Sequence, residues 1–193
     1  MNFLAHIYLS GNNQQIMLGN FIADYVKGNQ YEKYAPEVQK GILLHRKIDG
    51  FTDKHPIVKQ SAQRFKESYG RYSSVVIDVV YDHYLANAWP NYSSVPLGEF
   101  VSKTHQYLMK NYFMLPARVK GFLPFLIKSR RLENYKNLQD IERSLAIMAK
   151  NTSLPDKSEE AIEVMSNHYP LFEDEFALFF SEMRQMVHAE LNP

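Results

Sequence analysis

Cysteine is absent from this chain. That excludes disulfides, thiolate metal ligands and a cysteine nucleophile, and it fits a reducing, cytoplasmic setting. Tryptophan occurs once. Charge of one sign is not in excess, because the formal net charge of +1 creates no global field to recruit nucleic acid. No apolar run is long enough to cross a bilayer. The opening MNFLAHIYLS has neither the basic leader nor the cleavage site of a secretory signal, so a cytoplasmic protein without a membrane partner is expected. There is no GxSxG elbow, Walker A loop, GxGxxG turn or HExxH helix. No single serine is marked out as a nucleophile.

What is present points to a folded helical protein. The 193 residues are 45% apolar and 13% aromatic, which suits one domain with a sizeable core, taken here as residues 1–193. Apolar positions recur at three- and four-residue spacing and strand-like alternation is rare, so the expected class is all-α. The spacing predicts helices over Phe3–Leu9, Gln14–Lys27, Pro36 to about Asp49, and Ser73–Ala88. Further helices are predicted over Leu97–Met114, Leu138–Lys150, Asp156–Tyr169 and Leu171–Leu191. Gly28 is placed to end the second, and Gly50 to break the third. Thr52 or Asp53 can cap the helix that starts near Pro56, and Ser73 or Ser74 the one that Pro90 stops. VVIDVVY has β propensity but reads as helix, because Asp78 and Asp82 then share a face. Pro116, Gly121 and Pro124 mark a less regular region.

The informative pattern is polar residues inside apolar helical runs. Asp24 sits in GNFIADYV, and Asp78 sits among Val75, Val76, Ile77, Val79 and Val80. A buried carboxylate must be paired, hydrogen-bonded or metal-bound, since stripping its water otherwise costs several kcal/mol, roughly. Residues four apart lie on nearly one helix face. Asn20 and Asp24, His45 and Asp49, and Asp78 and Asp82 all have that spacing. Three helices could thus each offer two polar groups to one interior centre, a donor set suited to Mn, Fe or Zn rather than Ca. Structural readings stand beside this one. Asp24 could pair with a core cation. His45-Arg46-Lys47 could be an exposed basic turn. Asp53 suits an N-cap, Asp78 a helix start, and His6 a satisfied core histidine. His83 adjoins Asp82 on a different face.

Four blocks carry a resemblance: MNFLAH at 1–6, GNFIADYVKGN at 19–29, GILLHRKID at 41–49 with Thr52-Asp53 beyond it, and DVVYDHYLA at 78–86. Together they resemble the acyl carrier protein phosphodiesterase family, a divergent branch of the HD-type metal-dependent phosphohydrolases. The resemblance implies an all-helical bundle of HD-domain type holding a divalent metal, Mn. It also implies hydrolysis of the phosphopantetheine–serine phosphodiester of holo-acyl carrier protein, giving apo-acyl carrier protein and 4′-phosphopantetheine. It implies Asp24, His45, Asp49 and Asp78 as metal positions. Asp82, His83 and His6 are then candidates for supporting the metal ligands or for proton transfer, with Asp82 favoured as the base. Asn20 and Arg46 are candidates for meeting the substrate, Arg46 by a bidentate phosphate contact. HD enzymes are named for an adjacent His-Asp pair, whereas here His45 is followed by Arg46 and the next carboxylate is Asp49.

Acyl carrier proteins are acidic and helical. The basic stretch from Arg118 to Lys136 includes Lys120, Arg130 and Arg131, interleaved with Phe122, Phe125 and Tyr135, and would suit such a partner. Solvated helix faces would explain the same charges. Two other functions stay open: an HD-type phosphohydrolase acting on a small nucleotide or phosphate ester, and a non-catalytic helical module that binds an acidic protein.

Overall fold

A computed structural model describes residues 1–192. Among them there are twelve α-helices and no strand. They are α1 (Phe3–Leu9), α2 (Gln14–Ile22), α3 (Pro36–Lys54), α4 (Pro56–Gln63), α5 (Lys66–Tyr69), α6 (Ser73–Asn87), α7 (Leu97–Lys110), α8 (Ala117–Lys128), α9 (Arg131–Asn134), α10 (Leu138–Asn151), α11 (Ser158–Asn167) and α12 (Tyr169–Leu191). Short 3-10 turns at Ala23–Tyr25, Gly28–Lys33 and Tyr112–Met114 join some of them. The all-α expectation holds. No described helix is long and apolar enough to cross a membrane.

The central helix is α6. Val76, Ile77, Val79, Val80, Tyr81 and Leu85 are all at most 1% exposed and cover more than one face, as expected of a helix surrounded by others. One buried apolar cluster runs from Met1 to Val187. The long α12 is fastened to α4 and α6 by a buried charge. Arg64 grips Glu175 through two 2.8 Å bonds, Ser61 Oγ donates to the same carboxylate, and Ser61 and Tyr81 share a 2.7 Å hydroxyl bond. Pairing and hydrogen bonding make that burial tolerable.

The closest helix crossing is between α2 and α3. A Cβ at Gly19 would stand 2.0 Å from the Val38 carbonyl oxygen, and one at Gly41 2.1 Å from that of Ile16. Only glycine permits this approach.

Several boundaries differ from expectation. The second helix stops at Ile22 rather than Lys27, so Asp24 lies on a 3-10 turn and not on a helix face with Asn20. The third does not break at Gly50. It continues to Lys54, because a solvent-side glycine inside a helix costs only about 1 kcal/mol. Thr52 and Asp53 are therefore helical, not caps. His55 takes the extended conformation that Pro56 imposes on its predecessor. Ser73 is the first residue of α6 and makes no capping bond. The region of Gly121 and Pro124 is a regular helix. Pro124 offers no N–H to the Lys120 carbonyl one turn earlier, and Tyr112 Oη supplies the missing donor at 3.3 Å.

Candidate metal centre

Two imidazoles and a carboxylate converge where α1, the end of α2 and α3 meet. His6 comes from α1, and His45 and Asp49 lie one turn apart on α3. One ligand atom from each lies within 4.8 Å of the others. The two rings stack at 3.9 Å with 18° between their planes. His6 and His45 are buried, while Asp49 and Asp24 have side chains 41% and 61% exposed.

Asn20 organises the cluster. Its Nδ2 donates to the His6 carbonyl at 2.8 Å and to Ser10 Oγ at 3.0 Å, which turns Oδ1 toward the rings. His6 Nδ1 donates to that Oδ1 at 2.8 Å, and His45 Nδ1 donates to the Asn20 backbone carbonyl at 2.8 Å. Both Nε2 atoms then face acceptors. His6 Nε2 is 3.2 Å from Asp49 Oδ1 and 3.1 Å from the Met1 carbonyl. His45 Nε2 is 3.1 Å from Asp49 Oδ2 and 3.3 Å from Asp24 Oδ1. Lone pairs crowded in this way are stable only with protons or a cation between them. Imidazoles oriented through Nδ1–H, with carboxylates at Nε2, fit a divalent transition metal.

The protonation pattern of the metal-free cluster follows from its charges. Burial and the charge on His45 push His6 down to about 4. Burial also disfavours charge on His45, but its bonds to Asp24 and Asp49 outweigh that and raise it to about 9. Burial works against the Asp49 anion too, yet bonds to His45 and His6 hold that carboxyl far below the usual range. The bond to His45 lowers Asp24. At neutral pH, therefore, His45 carries the proton that a cation must displace. Because its folded pKa lies above 6.5, that proton stabilises the metal-free fold fully below about pH 6.5, and the contribution is lost as pH rises through about 9. The melting temperature of chelator-treated protein should thus fall between pH 7 and 10, and excess Mn²⁺ should flatten the fall. Equal slopes with and without the ion would remove His45 from the metal centre.

A cleft of about 290 Å³ opens beside the cluster. Its wall holds Asp24, His45, Asp49 and Asp78, and also Asp53, Ser74 and Asn2. Asp53 extends the His45–Asp49 face by one more turn, a continuation visible as a second four-residue step. Larger clefts of about 820 and 850 Å³ lie elsewhere, without such a convergence of imidazoles and carboxylates.

The remaining candidates fall in other places. Asp78 lines the cleft but accepts from the Met1 α-ammonium at 2.7 Å instead of joining the imidazoles. Asp82 is 0% exposed, and its two oxygens accept from the Leu4 and Ala5 backbone N–H groups at 2.8 and 3.1 Å. It caps α1 from a neighbouring helix, and burial pushes it up to about 7. It positions His6 and reaches no water in the cleft. His83 is also removed from the centre. Its Nδ1 donates to the Tyr135 carbonyl at 2.7 Å, and its Nε2 accepts from Tyr169 Oη at 2.9 Å. Asn20 is 0% exposed, and its amide is engaged with His6 and Ser10 behind the rings.

Arg46 leaves the cleft as well. It donates to the Val26 and Gly28 carbonyls, covers the Tyr31 ring and borders a different cavity. Lys120 donates to the Phe113 carbonyl at 2.9 Å, and Arg130 pairs with Glu133. Arg131 lies next to Arg130 on α9 and is half-buried.

A sequence profile described as acyl carrier protein phosphodiesterase matches residues 1–183. A Yersinia pestis protein of that name is 33% identical over 193 residues, covering 99% of this chain and 100% of the relative. Proteins of the same name from Enterobacter sp. (strain 638) and Pectobacterium atrosepticum are 34% and 33% identical over 191 residues. They cover 98% of this chain and 98% and 99% of the relatives. No solved structure matches the chain.

Proposed function

Because the chain belongs to the acyl carrier protein phosphodiesterase family, we propose that it hydrolyses the phosphodiester between the phosphopantetheine arm and a serine of holo-acyl carrier protein, releasing 4′-phosphopantetheine and the apo-protein. His6, His45 and Asp49 would hold a divalent cation, with Asp24 beside them. The observation that carries this reading is the knot of acceptors around two Nε2 atoms whose Nδ1 protons are already committed to Asn20.

The charge of the cleft supports it. Asp24, Asp49, Asp53 and Asp78 set four carboxylates against a phosphodiester anion, with only the Met1 ammonium at Asp78 and the protonated His45 between Asp24 and Asp49 to offset them. A divalent ion supplies Lewis acidity there, lowering the pKa of water and offsetting negative charge on phosphate oxygens. The chain's own residues do the rest. Asn20 fixes both rings in the tautomer that presents Nε2. Asp82 holds α1, and so His6, in register. Asp24 bonds to His45 through Oδ1 and lines the cleft, where its other oxygen would accept the proton of the attacking water. His45 and Asp49, one turn apart, take the place of the adjacent pair of HD-type enzymes, and Mn suits the mixed imidazole–carboxylate set. A cytoplasmic setting, where carrier proteins work, fits the cysteine-free sequence.

A small nucleotide substrate is less well matched, because the cleft lining, among the described residues, holds no lysine or arginine to grip the several charges of a nucleotide phosphate. A purely binding module is also less well matched, since Asp24 and Asp49 find imidazoles and no Arg or Lys. Purified protein incubated with holo-acyl carrier protein and Mn²⁺ should remove the phosphopantetheine mass from the substrate, and chelator should stop the loss. An intact arm after incubation with Mn²⁺, Mg²⁺ and Fe²⁺ in turn would overturn the reading.

A further inference from the structure

Every charged side chain from Phe100 to Leu132 is a lysine or an arginine. The same stretch contains Phe113 at 91% exposure, Phe125 at 72%, Met114 at 53% and Met109 at 46%, four of the seven exposed large apolar side chains among the described residues. Scattered apolar residues on a surface need no explanation, but aromatic rings this open among cations of one sign do. The two features meet physically on α8. Arg118, Gly121, Phe125 and Lys128 share one exposed helical face. Lys120 of the same helix is tied to the Phe113 carbonyl, and Tyr112 is tied to the Lys120 carbonyl.

Gly121 adds an independent sign. It stands inside a helix where glycine costs about 1 kcal/mol relative to alanine. A Cβ built on it meets nothing within 4 Å, so no contact within the chain requires glycine there. Glycine at that point keeps the α8 face flat between Arg118 and Phe125. The same helix packs beside the turn that carries Asp24. Phe122 on α8 packs on Tyr25 with centroids 5.5 Å apart, and the charge of Arg118 reaches the Tyr25 hydroxyl. Tyr25 follows Asp24 in the chain.

We propose that this face of α8, with the 3-10 turn Tyr112–Met114, is the docking surface for the acidic, helical carrier protein. Phe113 and Phe125 are its apolar anchors, Arg118 and Lys128 its electrostatic rim, and Gly121 the point of close approach. The proposal rests on the phosphodiesterase reading for the identity of the partner. It also moves the recognition charges away from Arg130, which Glu133 neutralises, to Arg118 and Lys128.

The test uses labelled apo-acyl carrier protein, which has no arm and undergoes no chemistry, titrated with the full-length enzyme at low salt. Phe125→Ser and Lys128→Glu should each weaken binding about tenfold, the scale of a lost interface anchor. Added salt should weaken the wild type further. Gly121→Gln should melt no lower than the wild type, because the site is open, yet bind more weakly. Leu178→Ser, which removes another exposed apolar side chain, on α12 (60%), should bind as the wild type does. Wild-type protein that fails to bind, variants within twofold of it, or a Leu178 variant equally weakened would overturn the docking surface. Failure of the wild type to cleave holo-carrier protein while these differences persist would instead overturn the phosphodiesterase reading.

Discussion

Asp49→Asn should reduce kcat/KM on holo-acyl carrier protein by about a thousandfold or more, the scale expected when a metal site loses a charged ligand. Among the described residues, Asp49 is the one carboxylate that meets both rings, giving Oδ1 to His6 and Oδ2 to His45. An asparagine of the same shape would turn an N–H toward one Nε2 lone pair and remove the negative charge that balances His45. Bound metal, read by elemental analysis, should fall with activity. Asp24→Asn should cost less, because Asp24 meets only His45 and is 61% exposed, so water can take over part of its role. Full metal content and turnover in the Asp49 variant would leave the proposed centre without its bridging ligand.

The same residues show what could be read in advance and what could not. The four-residue step from His45 to Asp49 needs only helical geometry, and α3 realises it. The apolar run around Asp78 and Asp82 announces a buried helix, and α6 is one. The purpose of a buried acid is not written in its neighbours. A carboxylate that caps the first turn of another helix and one that works in a cleft are both set among valines. Asp82 is the former, and its partners are 77 and 78 residues away. The contacts of Asn20 are hidden from the sequence for a similar reason. Its helical spacing to Asp24 disappears when α2 ends at Ile22, and its true contacts run to His6 and His45 through the fold. Local rules about breakers also met tertiary overrides. Gly50 stays helical, and Tyr112 repairs the bond that Pro124 forfeits.

Gly41→Ala should be among the most destabilising single substitutions in the chain, costing about 3 kcal/mol or more. Its Cβ would lie 2.1 Å from the Ile16 carbonyl oxygen and 2.9 Å from the Asn20 nitrogen, and both of these are backbone atoms within a helix. No rotamer change relieves such a contact, so α2 and α3 must separate. The helix-propensity gain of about 1 kcal/mol is too small to compensate. For a domain stable by about 5–15 kcal/mol, the loss is a large fraction of the total. The crossing also carries the site, because the bond from His45 Nδ1 to the Asn20 carbonyl spans these two helices. Even protein that remains folded should therefore bind Mn²⁺ weakly, as the rings lose their shared acceptor. Gly50→Ala on the same helix meets open space and should melt at or slightly above the wild-type temperature. Denaturant unfolding of the two variants together separates steric crowding from a general intolerance of α3. A Gly41 variant as stable as the Gly50 variant, with metal bound, would mean that the close crossing does not hold the histidines in place.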